Sequence, residues 1–146
     1  MKLSTKSRYG LRALIDLAQH GTLGQVALHQ IAQRQSLSIK YLEQDFAALR
    51  KAGLVRSVKG AQGGYVLARP AEQIRVGEIL RVLEGDLSLV DESDAMDRPS
   101  QVRHFLVSRV WQPLSQRIEE QMNALTLADL VSQHLQDEGQ EPMYYI

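Results

Sequence analysis

The chain has 146 residues, no cysteine and 44% hydrophobic residues, enough for one compact domain or a small domain with an extension. The missing cysteine excludes disulfides, cysteine nucleophiles, zinc–thiolate sites and thiolate-held iron–sulfur clusters. Net charge is zero but unevenly spread: residues 1–75 hold 12 basic and 4 acidic side chains, residues 76–146 hold 5 and 13, so a polyanion is attracted to the first half and repelled by the second.

No segment approaches the roughly 18 apolar residues of a membrane span. Arg8, Arg12 and Asp16 interrupt the apolar run after Met1 and no small-residue cleavage site follows, so a cytoplasmic location is expected. Leu11, Leu14, Ile15 and Ala18 fall at helical spacing behind Ser4 or Thr5 as N-cap. The stretch Gly21 to Gly24 ends this first helix. Leu28, Ile31 and Ala32 mark a short second helix. Ser36 to Ser38 make a turn, and Ser38 is placed to cap a third helix from Ile39 to about Ala52. Its inward stripe is Leu42, Phe46 and Leu49, and Gly53 stops it.

Leu54–Val58 and Tyr65–Ala68 read as strands joined by the glycine-bearing loop Lys59–Gly64. Val76–Gly85 reads as a short helix and Asp86 to Pro99 as an acidic loop. A long helix follows from about Ser100 to Asn123, with Val102, Leu106, Val110, Leu114, Ile118 and Met122 every four residues. Pro113 inside it predicts a kink or interruption. Thr126 and Asp129 form a capping box for a last helix to about Gln136. The expected fold is mostly α with a small β-hairpin wing. It divides into a winged helix-turn-helix over 1–85, an acidic loop over 86–99, dimerisation helices over 100–136 and a C-terminal tail over 137–146.

Three helices followed at once by a hairpin, in the basic half, point to double-stranded DNA. The buried stripe of the third helix leaves Lys40, Gln44 and Lys51 outward, flanked by Tyr41 and Ala48, behind Ser38 at its start. Glutamine pairs bidentately with adenine, and lysine reaches guanine acceptors or phosphate. Lys59, Gly60, Gln62, Gly63, Gly64 and Tyr65, with Arg56 on the hairpin, form a wing that can approach phosphates closely. Lys2, Ser4, Thr5, Lys6 and Arg8 precede or open the first helix and can grip phosphates too. A Walker-type phosphate loop is rejected: GxxxxGK[ST] is absent and a strand follows.

His20, His29, His104 and His134 lack metal-ligand spacing. Asp86, Asp91, Glu92, Asp94 and Asp97 read as a solvated loop rather than a cation site. No metal or other cofactor is expected, and nothing resembles a nucleophile elbow or a zinc-protease motif, so no enzyme reading has support. The long helix has too much apolar surface to stand alone. Val102, Phe105, Leu106, Val110, Trp111, Leu114, Ile118 and Met122 are the candidate homodimer contacts, in a two-fold assembly suited to a palindromic operator.

The segments MKLSTKSRYGLRAL, IAQRQSLSIKYLEQDFAALRKAGLVRSVKGAQGGYVLAR and VGEILRVLEG closely resemble the Rrf2 family of bacterial repressors, from Met1 to about Leu135. That family includes the iron–sulfur cluster regulator and the nitric-oxide-sensing repressor. The resemblance implies a winged helix-turn-helix with a long dimerisation helix crossing to the partner subunit. Many members carry three cysteines in the loop that here spans Asp86 to Pro99. This chain has none, so cluster sensing is not carried over. The cysteine-free loop and the ending MYYI instead resemble the branch that represses cysteine-metabolism genes in complex with cysteine synthase, the O-acetylserine thiol-lyase. Read on its own, the tail Met143, Tyr144, Tyr145, Ile146 is a frayed end, a strap over the dimer or a docking peptide. Its ending YI resembles the C-terminus of serine acetyltransferase, which cysteine synthase accepts in its active-site cleft. That resemblance implies Ile146 as anchor, with Tyr145 and Tyr144 at the cleft mouth. A reading of a different class, an interaction subunit that binds an enzyme and DNA only weakly, is opposed by the basic first half.

Overall fold

Ser4 sits in extended backbone and its hydroxyl accepts from the Ser7 amide at 3.3 Å, which starts helix α1 at Thr5–His20. The coordinates are a computed structural model and describe residues 2–61, 63–90 and 100–140. Gln62, the acidic residues Asp91, Glu92, Asp94 and Asp97, and the tail Met143, Tyr144, Tyr145 and Ile146 lie outside the described residues. After α1 a single 3-10 turn, Gly21–Leu23, leads to α2, Leu28–Gln35. The Gln30 side chain accepts from the Ala27 amide at 3.2 Å and secures that start. Ser36 turns the chain with φ 54°, and α3 runs over Ile39–Lys51. Ser38 takes the N-cap backbone position, but its hydroxyl makes no capping bond; the side chain is exposed to water instead.

Gly53 has φ 79°, a left-handed conformation that lets the Leu54 amide reach back to the Leu49 carbonyl at 2.9 Å. Strand β1, Val55–Val58, then pairs antiparallel with β2, Gly64–Leu67, in the register Val55 to Leu67 through Val58 to Gly64. A third, one-residue edge joins them: Val26 and Tyr65 exchange backbone bonds of 3.0 and 2.9 Å. This pairing needs Gly64, since an added Cβ would stand 3.0 Å from the Val26 carbonyl oxygen.

Helix α4 spans Val76–Glu84, α5 spans Gln101–Leu106 and α6 spans Gln112–Ala124. Between α5 and α6 the chain makes a π turn at Val107–Trp111, so the expected interruption at Pro113 takes the form of a wide turn just before it. Proline donates no hydrogen bond and its ring crowds the carbonyl four residues back, here Arg109. The extra residue has a second effect. A four-residue repeat on an α-helix drifts about 40° per step, about 200° over Val102 to Met122, and one inserted residue takes back about 100°.

Helix α7 starts on the predicted capping box: Thr126 Oγ1 accepts from the Asp129 amide and Asp129 accepts from the Thr126 amide, both at 3.0 Å. Those bonds hold the Asp129 carboxyl below its ordinary value, the backbone donor first. The helix reaches Gln140, four residues past the expected end. The polar stretch after Gln136 supports itself locally, as in the 3.1 Å pair of His134 with Glu138 one turn on.

One core gathers these elements. Leu14, Leu17, Ile31, Leu42, Phe46, Leu49, Leu54, Ile74, Ile79 and Leu127 are all at most 1% exposed, each such burial stabilising the fold by about 1.5–3 kcal/mol. On α1 the buried face is centred on Ala13, Leu14 and Leu17, with the predicted Leu11, Ile15 and Ala18 only partly buried at its flank. Gly10 lets α4 approach: a Cβ there would lie 2.4 Å from Leu83 Cδ1. Arg81 pairs with Glu119 at 2.7 Å and Arg75 donates to the Asn123 carbonyl at 2.9 Å, fastening α4 to α6. Among the described residues no helix is long and apolar enough to cross a membrane.

Candidate nucleic-acid interface

At about 100° per residue, Lys40, Gln44, Ala47 and Lys51 fall within an arc of about 60° on α3. That arc lies opposite Leu42, Phe46 and Leu49, which are fully buried. Lys40, Gln44, Ala47 and Lys51 are all exposed, and Tyr41 beside them is 55% exposed. Ala47 adds no bulk between Gln44 and Lys51, so the backbone of this face can come close to base edges. Glu43 and Arg50 share the exposed side of the helix. Neither stood out in the sequence, because neither lies on the central line of the outward arc. A carboxylate at Glu43 suits a cytosine amino group, and Arg50 suits phosphate or guanine.

The wing places Arg56 and Lys59 outward, with Gly60 exposed at the turn. The Gly63 amide donates to the Gly60 carbonyl at 3.2 Å, and Gly63 has φ 60°, a conformation glycine adopts without strain. Tyr65 differs from the other wing residues. Its ring packs edge-on against Phe46, centroids 4.9 Å apart, so it braces the wing on α3 from inside. At the chain start Lys2, Thr5, Lys6 and Arg8 are exposed, while Ser4 is already occupied. Its amide and hydroxyl both donate to the Glu84 carboxylate, at 3.1 and 2.7 Å, and the buried Ser7 hydroxyl donates to it as well. These bonds, from Ser7 first and then Ser4, hold the Glu84 carboxyl below its ordinary value. Eighty residues separate Ser4 from Glu84, so no local sequence signal marks the tether.

Two buried carboxylates set the geometry behind the interface. Asp16 on α1 is 1% exposed. It accepts from Arg34 Nη2 at 2.6 Å, Arg34 Nε at 3.0 Å and Gln35 Nε2 at 2.9 Å. This forked pair fixes the end of α2, and the bond to Asp16 raises the Arg34 pKa further. Asp45 on α3 is 2% exposed, and its Oδ2 has no hydrogen-bond partner among the described residues. It faces Gly10 and is pushed up to about 6 by burial, against the attraction of Lys6.

The predicted dimer stripe faces outward on α5, the π turn and α6. Val102 is 67% exposed, Phe105 59% and Leu114 48%. Leu106 lies at the edge of exposure, and Val110, Trp111, Ile118 and Met122 are half-buried. None of α5, the π turn or α6 contributes a fully buried residue. The geometry therefore leaves an apolar face on a rod that the other described residues do not cover.

The sequence pattern of the Rrf2 family, described as iron-dependent transcriptional regulators, matches residues 3–133. The protein rrf2 of Nitratidesulfovibrio vulgaris is 41% identical over 131 residues, covering 90% of this chain and 87% of that protein. The HTH-type transcriptional regulator CymR of Bacillus subtilis is 40% identical over 146 residues, the full length of both chains. Its solved structure, described as that of the global cysteine regulator of B. subtilis, superposes with a TM-score of 0.77 over 90% of this chain and 97% of that one. T. potens IscR is 46% identical, with a TM-score of 0.77 over 99% of this chain and 95% of that one. The family description implies iron, but the donors here do not fit a thiolate-held cluster. The chain has no cysteine, and among the described residues no three His, Asp or Glu side chains are grouped to hold a metal.

Proposed function

Since the chain belongs to the Rrf2 family of transcriptional regulators, a family of DNA-binding proteins rather than enzymes, we propose that it is a homodimeric cytoplasmic repressor of cysteine-metabolism genes. Each α3 enters a major groove of a palindromic operator. Gln44 and Lys40 read base edges there, and Lys59 and Arg56 of the wing, with Lys2, Lys6 and Arg8, hold the phosphates. The observation that carries this reading is the exposed, acid-poor face of α3 next to a basic wing, both held on one core.

The apolar face of α5, the π turn and α6 supplies the two-fold contact, and the α3 helices are thereby spaced for two half-sites. The cysteine-free loop over 86–99 and the full-length match to CymR support the cysteine-metabolism branch. In that branch the signal arrives through cysteine synthase, docked on the tail ending at Ile146. Anisotropy titration of a mixed-sequence duplex at rising salt tests the electrostatic part. Log affinity should fall linearly with log salt, and Lys59→Ala should make the slope shallower by about one phosphate. A salt-independent affinity, or no binding at about 50 mM salt, would contradict it.

A further inference from the structure

A cleft of about 360 Å³ lies between α7 and the α1–α2 pair. One wall carries Arg12 and Gln19 of α1 and Gln35, the last residue of α2, with Asp16 also on the lining but already paired with Arg34. The other carries Gln133, His134 and Asp137, spaced to share one face of α7. Both walls are rich in hydrogen-bonding groups, yet among the described residues no hydrogen bond or ion pair crosses between them. Arg12 donates to the Gln35 carbonyl on its own wall, Gln35 is bound to Asp16 behind it, and His134 pairs along α7 with Glu138. Asp137 has no ion-pair partner among the described residues.

We propose that this cleft binds a free amino acid as an effector of DNA binding, its carboxylate on Arg12 and its ammonium on Asp137. The proposal rests on the repressor reading above for its consequence but not for the binding itself. The class follows from the charges. A cation and an anion face each other across a space the size of a small metabolite, so a dianion meets Asp137 and a dication meets Arg12, whereas a zwitterion satisfies both. Gln19 and Gln133, with Ile15 and Leu130 on the same lining, then accommodate the side chain.

The route to DNA is short. Arg12 holds the carbonyl of Gln35, Ser36 begins the turn at φ 54°, and α3 starts three residues later. A carboxylate that takes over the Arg12 guanidinium frees the Gln35 carbonyl and leaves the end of α2 held only by the Asp16 bonds to Arg34 and Gln35, which loosens the turn that sets α3 and lowers operator affinity. Because the coupling is mutual, operator DNA weakens amino-acid binding by the same factor.

The test is calorimetric titration of DNA-free protein with each standard L-amino acid, then with the carboxamide and N-acetyl derivatives of any that binds. At least one amino acid should bind, its two blocked derivatives should not, and Arg12→Gln and Asp137→Asn should each weaken it about tenfold or more. Both positions are exposed, and circular dichroism checks that the variants fold. Saturating ligand should then lower operator affinity about fivefold or more. The cleft assignment fails if no amino acid binds at about 10 mM, or if binding survives both substitutions. The effector role fails if a bound amino acid leaves operator affinity unchanged. Amino-acid binding by a protein with no DNA affinity would support the cleft and overturn the repressor reading alone.

Discussion

Replacing Asp45 by Asn should stabilise the protein at neutral pH. The Asp45 side chain is 2% exposed and Oδ2 has no partner among the described residues, so ionisation removes a charge from water without a matching bond. Burial lifts its pKa from 3.8 to about 6, with Lys6 pulling the other way. At about 1.4 kcal/mol per unit, the ionised side chain costs the folded state about 3 kcal/mol once pH is well above 6. The folded chain holds this proton more tightly than the unfolded one. The stabilisation from the protonated form is therefore complete below about pH 4 and lost as pH rises through about 6. Asparagine mimics the neutral acid at every pH. Urea unfolding of both proteins from pH 4 to pH 8 isolates the term, because Glu84 and Asp129 titrate alike in each. The difference should be near zero at pH 4 and reach about 3 kcal/mol in favour of the variant at pH 8. A variant less stable than the parent at pH 8 would show that Asp45 carries a favourably paired charge, and would refute the argument.

Other perturbations address the interface and the assembly. Lys40→Ala should weaken DNA binding, with a shallower salt dependence if its contact is to phosphate, whereas Gln44→Ala should relax selectivity at one base pair by about 1–3 kcal/mol; competition titrations with single-base operator variants separate the two. Leu114→Asp and Phe105→Asp place a charge on the apolar stripe, at positions 48% and 59% exposed among the described residues. They should leave the subunit folded but abolish the dimer by analytical ultracentrifugation, and operator binding with it. Arg34→Met leaves the buried Asp16 carboxylate without its forked partner. Thermal unfolding should show a loss of about 2–3 kcal/mol, at the lower end for a buried pair because Arg34 is 35% exposed. Deleting Ile146, or adding one glycine after it, should abolish capture by cysteine synthase from the same cell while operator affinity stays at the parental level.

Local chemistry made much of the fold legible. The Ser4 cap, the Leu42–Phe46–Leu49 stripe, the Gly53 stop and the Thr126–Asp129 capping box are short-range patterns, and each appears as read. What the sequence hid is long-range or degenerate. The Val26–Tyr65 pairing joins residues with no shared periodicity. The tether of Ser4 and Ser7 to Glu84 spans the whole helix-turn-helix. Asp45 looks like a surface acid, because a carboxylate at the edge of a buried arc cannot be told from one just outside it. Pro113 announces a break but not its kind, and the π turn emerges only because the rod continues on both sides. On the interface, exposure of Lys40, Gln44 and Lys51 followed directly from the stripe behind them. Ser4, Ser38 and Tyr65 were legible as residue types but not as environments: one is tied to Glu84, one leaves its cap unmade, and one is packed on Phe46.

Selection of the purified protein against a pool of random duplexes bears most directly on a dimeric, groove-reading repressor. The recovered sequences should converge on two inverted half-sites whose centres lie about 10 bp or a whole multiple of a helical turn apart. Lys40→Ala, Gln44→Ala, Lys59→Ala triple-variant protein should recover no such motif. A pool that stays random with the parent protein, or one that converges equally well with the triple variant, would contradict the assignment of α3 and the wing as the reading surface.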